Sequence, residues 1–262
     1  MTEKGSKGAI LEESGLWIGN VIQSQLYLGV LWTHSLEEEL PMAGKLIVLE
    51  GTDGCGKSTQ FARLRAHLEE RGVAFQCLKF PQYEEESSAL IRMYLGGEFG
   101  SHPGDVNGYA ASAFYAVDRY ASYKKVWGQW YEAGGLVLAD RYTTSNAIHQ
   151  ASKVPPEERE NFFRWLYDFE YGKLGLPRPD RVFYLDVPTE ATVSLLRSRE
   201  EQTHTHADIH EQDTEYLRTC RESGAQAAQV LGWNRIQCVR DGAMRSIEEI
   251  HGEIWSQVEP LL

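Results

Sequence analysis

The chain has 262 residues, a formal net charge of −12 and charged side chains at 24% of positions. That length suits one sizeable α/β domain or one domain with an appendage, and an acidic balance without any basic block argues against a protein that coats nucleic acid. No apolar run approaches the ~20 residues that cross a bilayer, and residues 26–32 are too short for a secretory signal and lack its small-residue cleavage site.

Residues 1–41 carry Gly, Ser and Glu with scattered aliphatics and show no phosphate chemistry. They are expected to be an N-terminal extension, either without structure or upstream of a natural start at Met42, with the domain proper at 42–262. An apolar strand-type run, 46–49, then ends at Gly51. Residues 51–58 fit G-x-x-x-x-G-K-[ST], and an amphipathic helix follows with Phe61, Leu64 and Leu68 on one face. Such a loop bends its N–H groups inward at a phosphate chain, and the helix N-terminus adds partial positive charge there. Lys57 can reach the outer phosphates and the Ser58 hydroxyl can ligate Mg²⁺.

A second strand is expected at 74–80, ended by Pro81, and a helix at 87–95. A Gly- and Asp-rich loop at 96–108 precedes a long helical stretch at 109–131. Residues 136–140 form a third strand ending in Asp140, followed by Arg141, Tyr142 and a helical segment to Lys153. Pro155-Pro-Glu-Glu158 opens another helix, with Phe162, Phe163, Leu166 and Phe169 inward, stopped by Gly175 and Pro177. A fourth strand spans 181–186. The helix after it is expected to end near Leu196, giving way to a polar stretch, 197–211. Helix 212–232, strand 234–239 and a capping-box helix from Ser246 complete the chain, with Ile247, Ile250, Ile254 and Val258 inside. Alternating strands and helices imply a parallel sheet covered on both faces, which binds ligands at the carboxyl ends of its strands. Cys55, Cys77, Cys220 and Cys238 make neither a CxxC pair nor a zinc spacing, so they are expected as reduced thiols in a cytoplasmic protein. Cys55, inside the phosphate loop, is expected to fill space.

From about residue 43 to 261 the chain resembles thymidylate kinase, a P-loop nucleoside-monophosphate kinase family. The stretches that carry it are Glu50-Gly-Thr-Asp-Gly-Cys-Gly-Lys-Ser-Thr59, Phe80-Pro81, Tyr115-Ala-Val-Asp-Arg119, Asp140-Arg-Tyr-Thr-Thr-Ser-Asn146, Tyr184-Leu-Asp-Val-Pro188, Asp208-Ile-His-Glu211 and Ser246-Ile-Glu-Glu-Ile-His251. The resemblance implies a three-layer α/β/α P-loop fold with a five-stranded parallel sheet and a helical lid at about 197–211. It implies transfer of the γ-phosphoryl of ATP to dTMP, giving dTDP and ADP in dTTP synthesis, with Mg²⁺, usually in a homodimer.

Phosphoryl transfer needs positioning and charge neutralisation more than covalent help. The resemblance assigns ATP to Gly51, Thr52, Asp53, Gly54, Cys55, Gly56, Lys57, Ser58, Thr59 and Arg197. It assigns dTMP to Asp53, Phe80, Tyr115, Arg119, Arg141, Tyr142, Asn146 and Gln150. Within these, Asp53 accepts from the acceptor 3′-hydroxyl and Tyr115 stacks on the base. Arg119, one helical turn on, bonds the 4-oxo group; Asn146 or Gln150 meets the base edge. Lys57, Asp140, Arg141 and Arg199 are the expected catalytic residues, and Ser58 and Asp140 the metal ligands. Gly54 stands where one subclass carries its transition-state arginine, so the lid is expected to supply it. His204, His206 and His210 are expected to be solvated lid residues.

Two positions depart from the family pattern. Phe80-Pro-Gln-Tyr83 lacks the arginine many members carry after the second strand, which leaves Arg141, with Arg92 as a second candidate, to grip the acceptor phosphate. His149 stands where an aromatic usually crowds out a ribose 2′-hydroxyl. The competing readings are a P-loop kinase for another nucleotide or a deoxynucleoside, and a catalytically silent nucleotide-binding regulator.

Overall fold

The computed structural model describes residues 43–203 and 214–262, with side chains omitted for 197–203. The expectation for residues 1–41 falls outside the described residues, as do most of the 197–211 stretch and His204, His206 and His210. Strand β1 (Lys45–Glu50) leads through the glycine-rich loop into α1 (Lys57–Glu70), and β2 (Phe75–Lys79) follows. Then come α2 (Ala89–Leu95), α3 (Gly108–Ser122), α4 (Gly128–Glu132) and β3 (Leu136–Asp140). The next elements are α5 (Thr144–His149), α6 (Arg159–Tyr167), β4 (Arg181–Asp186), α7 (Thr189–Thr203) and α8 (Thr214–Val230). The chain closes with β5 (Asn234–Gln237), β6 (Val239–Arg240), β7 (Ala243–Met244) and α9 (Ile247–Val258).

Strands β1 to β5 form one parallel sheet in the order β2-β3-β1-β4-β5. Residues Leu46 to Leu49 of β1 are all fully buried, because helices cover both faces. Leu46 and Val48 pack with Trp127, Ile148, Phe162 and Phe163 on one side. Ile47 and Leu49 pack with Leu64, Leu68, Ile250 and Ile254 on the other. The chain steps from β1 to β2 in one direction and from β3 to β4 in the other. The crevice over β1 and β3 is therefore the switch point where such sheets take ligands.

The strands and helices follow the sequence pattern, with four local differences. The long helix is continuous but relaxes into a π-helical turn at Tyr123–Trp127. The fifth strand stops at Gln237, and Val239–Arg240 pairs instead with Ala243–Met244 as an antiparallel hairpin. Helix α7 runs seven residues past Leu196, since polar composition alone does not end a helix that lacks Gly or Pro. Ile247 is 44% exposed: it is the first residue of α9, where the capping box of Ser246 and Glu249 fixes the turn and points it outward.

Candidate active site

The glycine-rich loop is shaped by close contacts. Gly51 has φ +151° and a Cβ there would lie 2.5 Å from Cys55 Sγ, so Cys55 fills the space that the missing side chain leaves. The Cys55 thiol is 3% exposed and burial pushes its pKa up, which keeps it protonated and matches a packing role. Gly54, at φ +78°, lies against α7: a Cβ would sit 2.9 Å from the Thr192 carbonyl and 2.8 Å from Leu196 Cγ. The position therefore has no room for an arginine. Lys57 opens α1 with its ammonium turned back over the loop, donating to the Gly51 carbonyl at 3.2 Å. Ser58 and Thr59 are exposed in the first turn.

Beside this loop lies a cavity of about 210 Å³. It is lined by Asp53, Phe80, Tyr115, Arg119, Arg141, Tyr142, Asn146 and Gln150, all eight residues expected at the acceptor. Lys79, Pro81, Tyr83, Leu95, Ser145 and His149 complete the wall. Helix α3 carries Tyr115 and Arg119; Asn107 caps its start by accepting from Ala110 N at 2.9 Å. Both line the cavity, as side chains four residues apart on one helix face can.

The polar groups are held by carboxylates that sequence reasoning passed over. Glu170 is fully buried and takes Arg119 Nε at 2.7 Å, Arg119 Nη2 at 2.5 Å, Thr143 Oγ1 at 2.7 Å and Asn146 Nδ2 at 3.2 Å. Burial alone would lower the Arg119 pKa, but the Glu170 charge outweighs it and the guanidinium is held protonated. Glu50, at the end of β1, accepts from Tyr142 N, Thr144 Oγ1 and Ser145 Oγ. It thereby ties the glycine loop's strand to the Asp140-Arg141-Tyr142 turn. Its pKa is raised by burial, against the pull of Arg141 and those donors. Asp118, buried on α3, accepts from Gln82 N and Ser87 Oγ and so fixes the loop after β2. Glu50 and Asp118 lie within the motif stretches, whereas Glu170 shows in the sequence only as a carboxylate between Phe169 and Tyr171.

Arg141 has a left-handed backbone, φ +70°, which a non-glycine residue adopts at a cost. The twist carries its side chain from the end of β3 across to the loop, where it pairs with Asp53. Arg141 Nη1 also meets His149 Nε2 at 3.0 Å, so this imidazole nitrogen is the acceptor. Burial opposes the charge, yet Asp53, Glu50 and Asp140 together raise the Arg141 pKa. Arg92, by contrast, is not part of the cavity wall. Its Nη1 donates to the Tyr83 and Glu85 carbonyls and to Ser88 Oγ, so it braces the loop. Asp140 is 6% exposed, and its Oδ1 has no hydrogen-bond partner among the described residues. Arg197 and Arg199 lie on the last turns of α7, beyond the described side chains.

A phosphate-binding loop meeting a polar cavity over a switch point is what a phosphoryl-transfer enzyme requires. The sequence matches the family description "Thymidylate kinase" over residues 49–254. The chain belongs to the thymidylate kinase family. It is accordingly a dTMP kinase, a phosphotransferase that uses ATP. A thymidylate kinase of Mycobacterium tuberculosis is 32% identical over 194 residues, covering 72% of this chain and 87% of that protein. A probable thymidylate kinase of Thermococcus kodakarensis is 31% identical over 218 residues, covering 82% and 98%. The solved thymidylate kinase of Candida albicans shares the fold at 18% identity, with a TM-score of 0.60 over 83% of this chain and 92% of that one.

Proposed function

We propose that this kinase, built on residues 42–262, brings ATP and dTMP together over the carboxyl ends of β1 and β3, with the following division of labour. The loop amides of residues 51–56 and the Lys57 ammonium hold the donor phosphates, helped by the α1 N-terminus. Arg141 grips the acceptor phosphate while Asp53 accepts from the sugar 3′-hydroxyl. Tyr115 stacks on the base, and Arg119, kept charged by Glu170, donates to the 4-oxo group. Gln150 is 1% exposed and its Oε1 is without a partner among the described residues, so it suits the imide N–H. Asn146 has given its amide hydrogens to Glu170 and the Ser112 carbonyl, which leaves it a framing role.

Residues 197–211 close over ATP, and Arg199, with Arg197 beside it, neutralises charge on the transferring oxygens. Support comes from Gly54, where the loop itself cannot carry that arginine. Mg²⁺ fits the orphaned Asp140 Oδ1 together with the Ser58 hydroxyl. When bound, it would offset phosphate negative charge. A homodimer is supported by Val117 and Tyr120, large apolar side chains of α3 left 54% and 39% exposed. A cytoplasmic site of action accords with four free cysteines; among the described residues no helix is long and apolar enough to cross a membrane.

The observation that carries this reading is the cavity that Asp53 of the glycine-rich loop shares with Tyr115, Arg119 and Arg141. It is tested by dTMP-dependent release of ADP, with Lys57→Ala as the folded, inactive comparison. Equal rates for the two proteins would overturn the assignment of Lys57.

A further inference from the structure

An acceptor nucleotide carries a phosphate of about −2 charge at neutral pH, so its cavity must offer positive charge that is not already neutralised. Four charged side chains line the wall: Asp53, Lys79, Arg119 and Arg141. Arg119 is held by both oxygens of Glu170. Arg141 gives one nitrogen to Asp53. Each of those two arginines is therefore already paired with a carboxylate, which leaves one cation of the wall unpaired among the described residues. That cation is Lys79. Among the described residues it pairs with no carboxylate and donates no hydrogen bond. The loop that follows it adds no other, since Arg92 is spent on the Tyr83 and Glu85 carbonyls.

We infer that Lys79 is a further ligand of the acceptor phosphate, sharing that group with Arg141. Lys79 is the last residue of β2 and lies in register with Asp140 at the end of β3. Side chains alternate along a strand, so Lys79 shares a face with Phe75, which packs on the α1 side of the sheet. Its side chain therefore leaves β2 on the face that α1 covers and also lines the acceptor cavity, which sets it at the seam between the two. Its side chain is exposed, and its flexible stem lets the point charge follow a phosphate as it enters. A cation at this seam acts on the group that receives the phosphoryl, not on the base. This inference rests on the dTMP kinase reading, because it takes a phosphorylated acceptor as the cavity's occupant.

The test compares wild type, Lys79→Gln, Lys79→Arg and the surface control Lys173→Ala in the full-length protein. Affinities for dTMP and for thymidine are measured by calorimetry, and KM for dTMP and ATP by steady-state kinetics. Loss of a charge-assisted contact predicts a dTMP affinity weakened roughly ten- to hundred-fold in Lys79→Gln. Thymidine affinity and the KM for ATP stay near wild type, Lys79→Arg recovers most of the loss, and Lys173→Ala shows none. Equal weakening toward dTMP and thymidine, a rise confined to the KM for ATP, or no change at all would each overturn the inference. A wild-type protein that binds dTMP but does not phosphorylate it would sink the kinase reading, while the dTMP-to-thymidine comparison would still decide Lys79.

Discussion

Arg119 and Glu170 are joined by two hydrogen bonds with both side chains out of solvent, at 2% and 0% exposure. Taking one partner from a buried pair leaves the other as an uncompensated charge, which costs about 3–5 kcal/mol. Glu170→Ala is therefore expected to lower the unfolding free energy by that amount in a denaturant titration. It should also raise the KM for dTMP more than that for ATP, since Arg119 and Asn146 lose their common anchor. Unchanged stability would show that Glu170 does not hold the site.

Gly54 predicts a different failure. A side chain there must adopt φ near +78° and displace Thr192 or Leu196. Gly54→Ala is expected to destabilise the fold by about 1–3 kcal/mol and to weaken ATP binding, because the loop must shift off α7. Gly54→Arg should not supply a working transition-state arginine. A Gly54→Arg enzyme faster than wild type would contradict the assignment of that role to 197–211.

Lys153 gives stability a pH dependence. Its ammonium contacts Tyr94 Oη at 2.7 Å and the Val106 carbonyl at 3.0 Å, and burial lowers its pKa to about 7. The unfolded lysine stays protonated to about 10.4. Between those values the unfolded chain binds more protons, so this group's contribution makes stability rise with pH from about 7, by at most about 1.4 kcal/mol per unit. Below the folded value both states are protonated and the slope vanishes. The measurement is the unfolding midpoint of wild type and Lys153→Met at pH 6.5 and 8.5. The wild-type protein is expected to gain more on going up; parallel shifts would remove Lys153 from the account.

What the sequence revealed was local. The loop at 51–58 has its strand before and helix after within a few residues, and the four-residue step from Tyr115 to Arg119 is one helical turn. What it hid was tertiary. Glu170 lies 51 positions from Arg119, in a π-helical turn whose composition resembles any polar helix end. Glu50 sits in the motif itself, but its grip on Tyr142 N and Thr144 depends on β1 and β3 lying side by side. Arg92 has the charge of a phosphate ligand, but it lies outside the cavity wall with its Nη1 engaged by nearby carbonyls.

The proposed Mg²⁺ site is tested at Asp140, whose Oδ1 has no hydrogen-bond partner among the described residues. Chelation of Mg²⁺ should abolish turnover, and Asp140→Asn should raise the Mg²⁺ concentration needed for half-maximal rate while leaving dTMP affinity near wild type. Full activity of Asp140→Asn at low Mg²⁺ would leave the buried carboxylate without this role.

The central claim is that the cavity accepts a thymine monophosphate. The direct measurement is kcat/KM for ATP-dependent phosphorylation of dTMP, dUMP, dCMP and thymidine by the same preparation. The account predicts dTMP first, with thymidine last for want of a phosphate. Preference for dUMP, dCMP or thymidine over dTMP would contradict it.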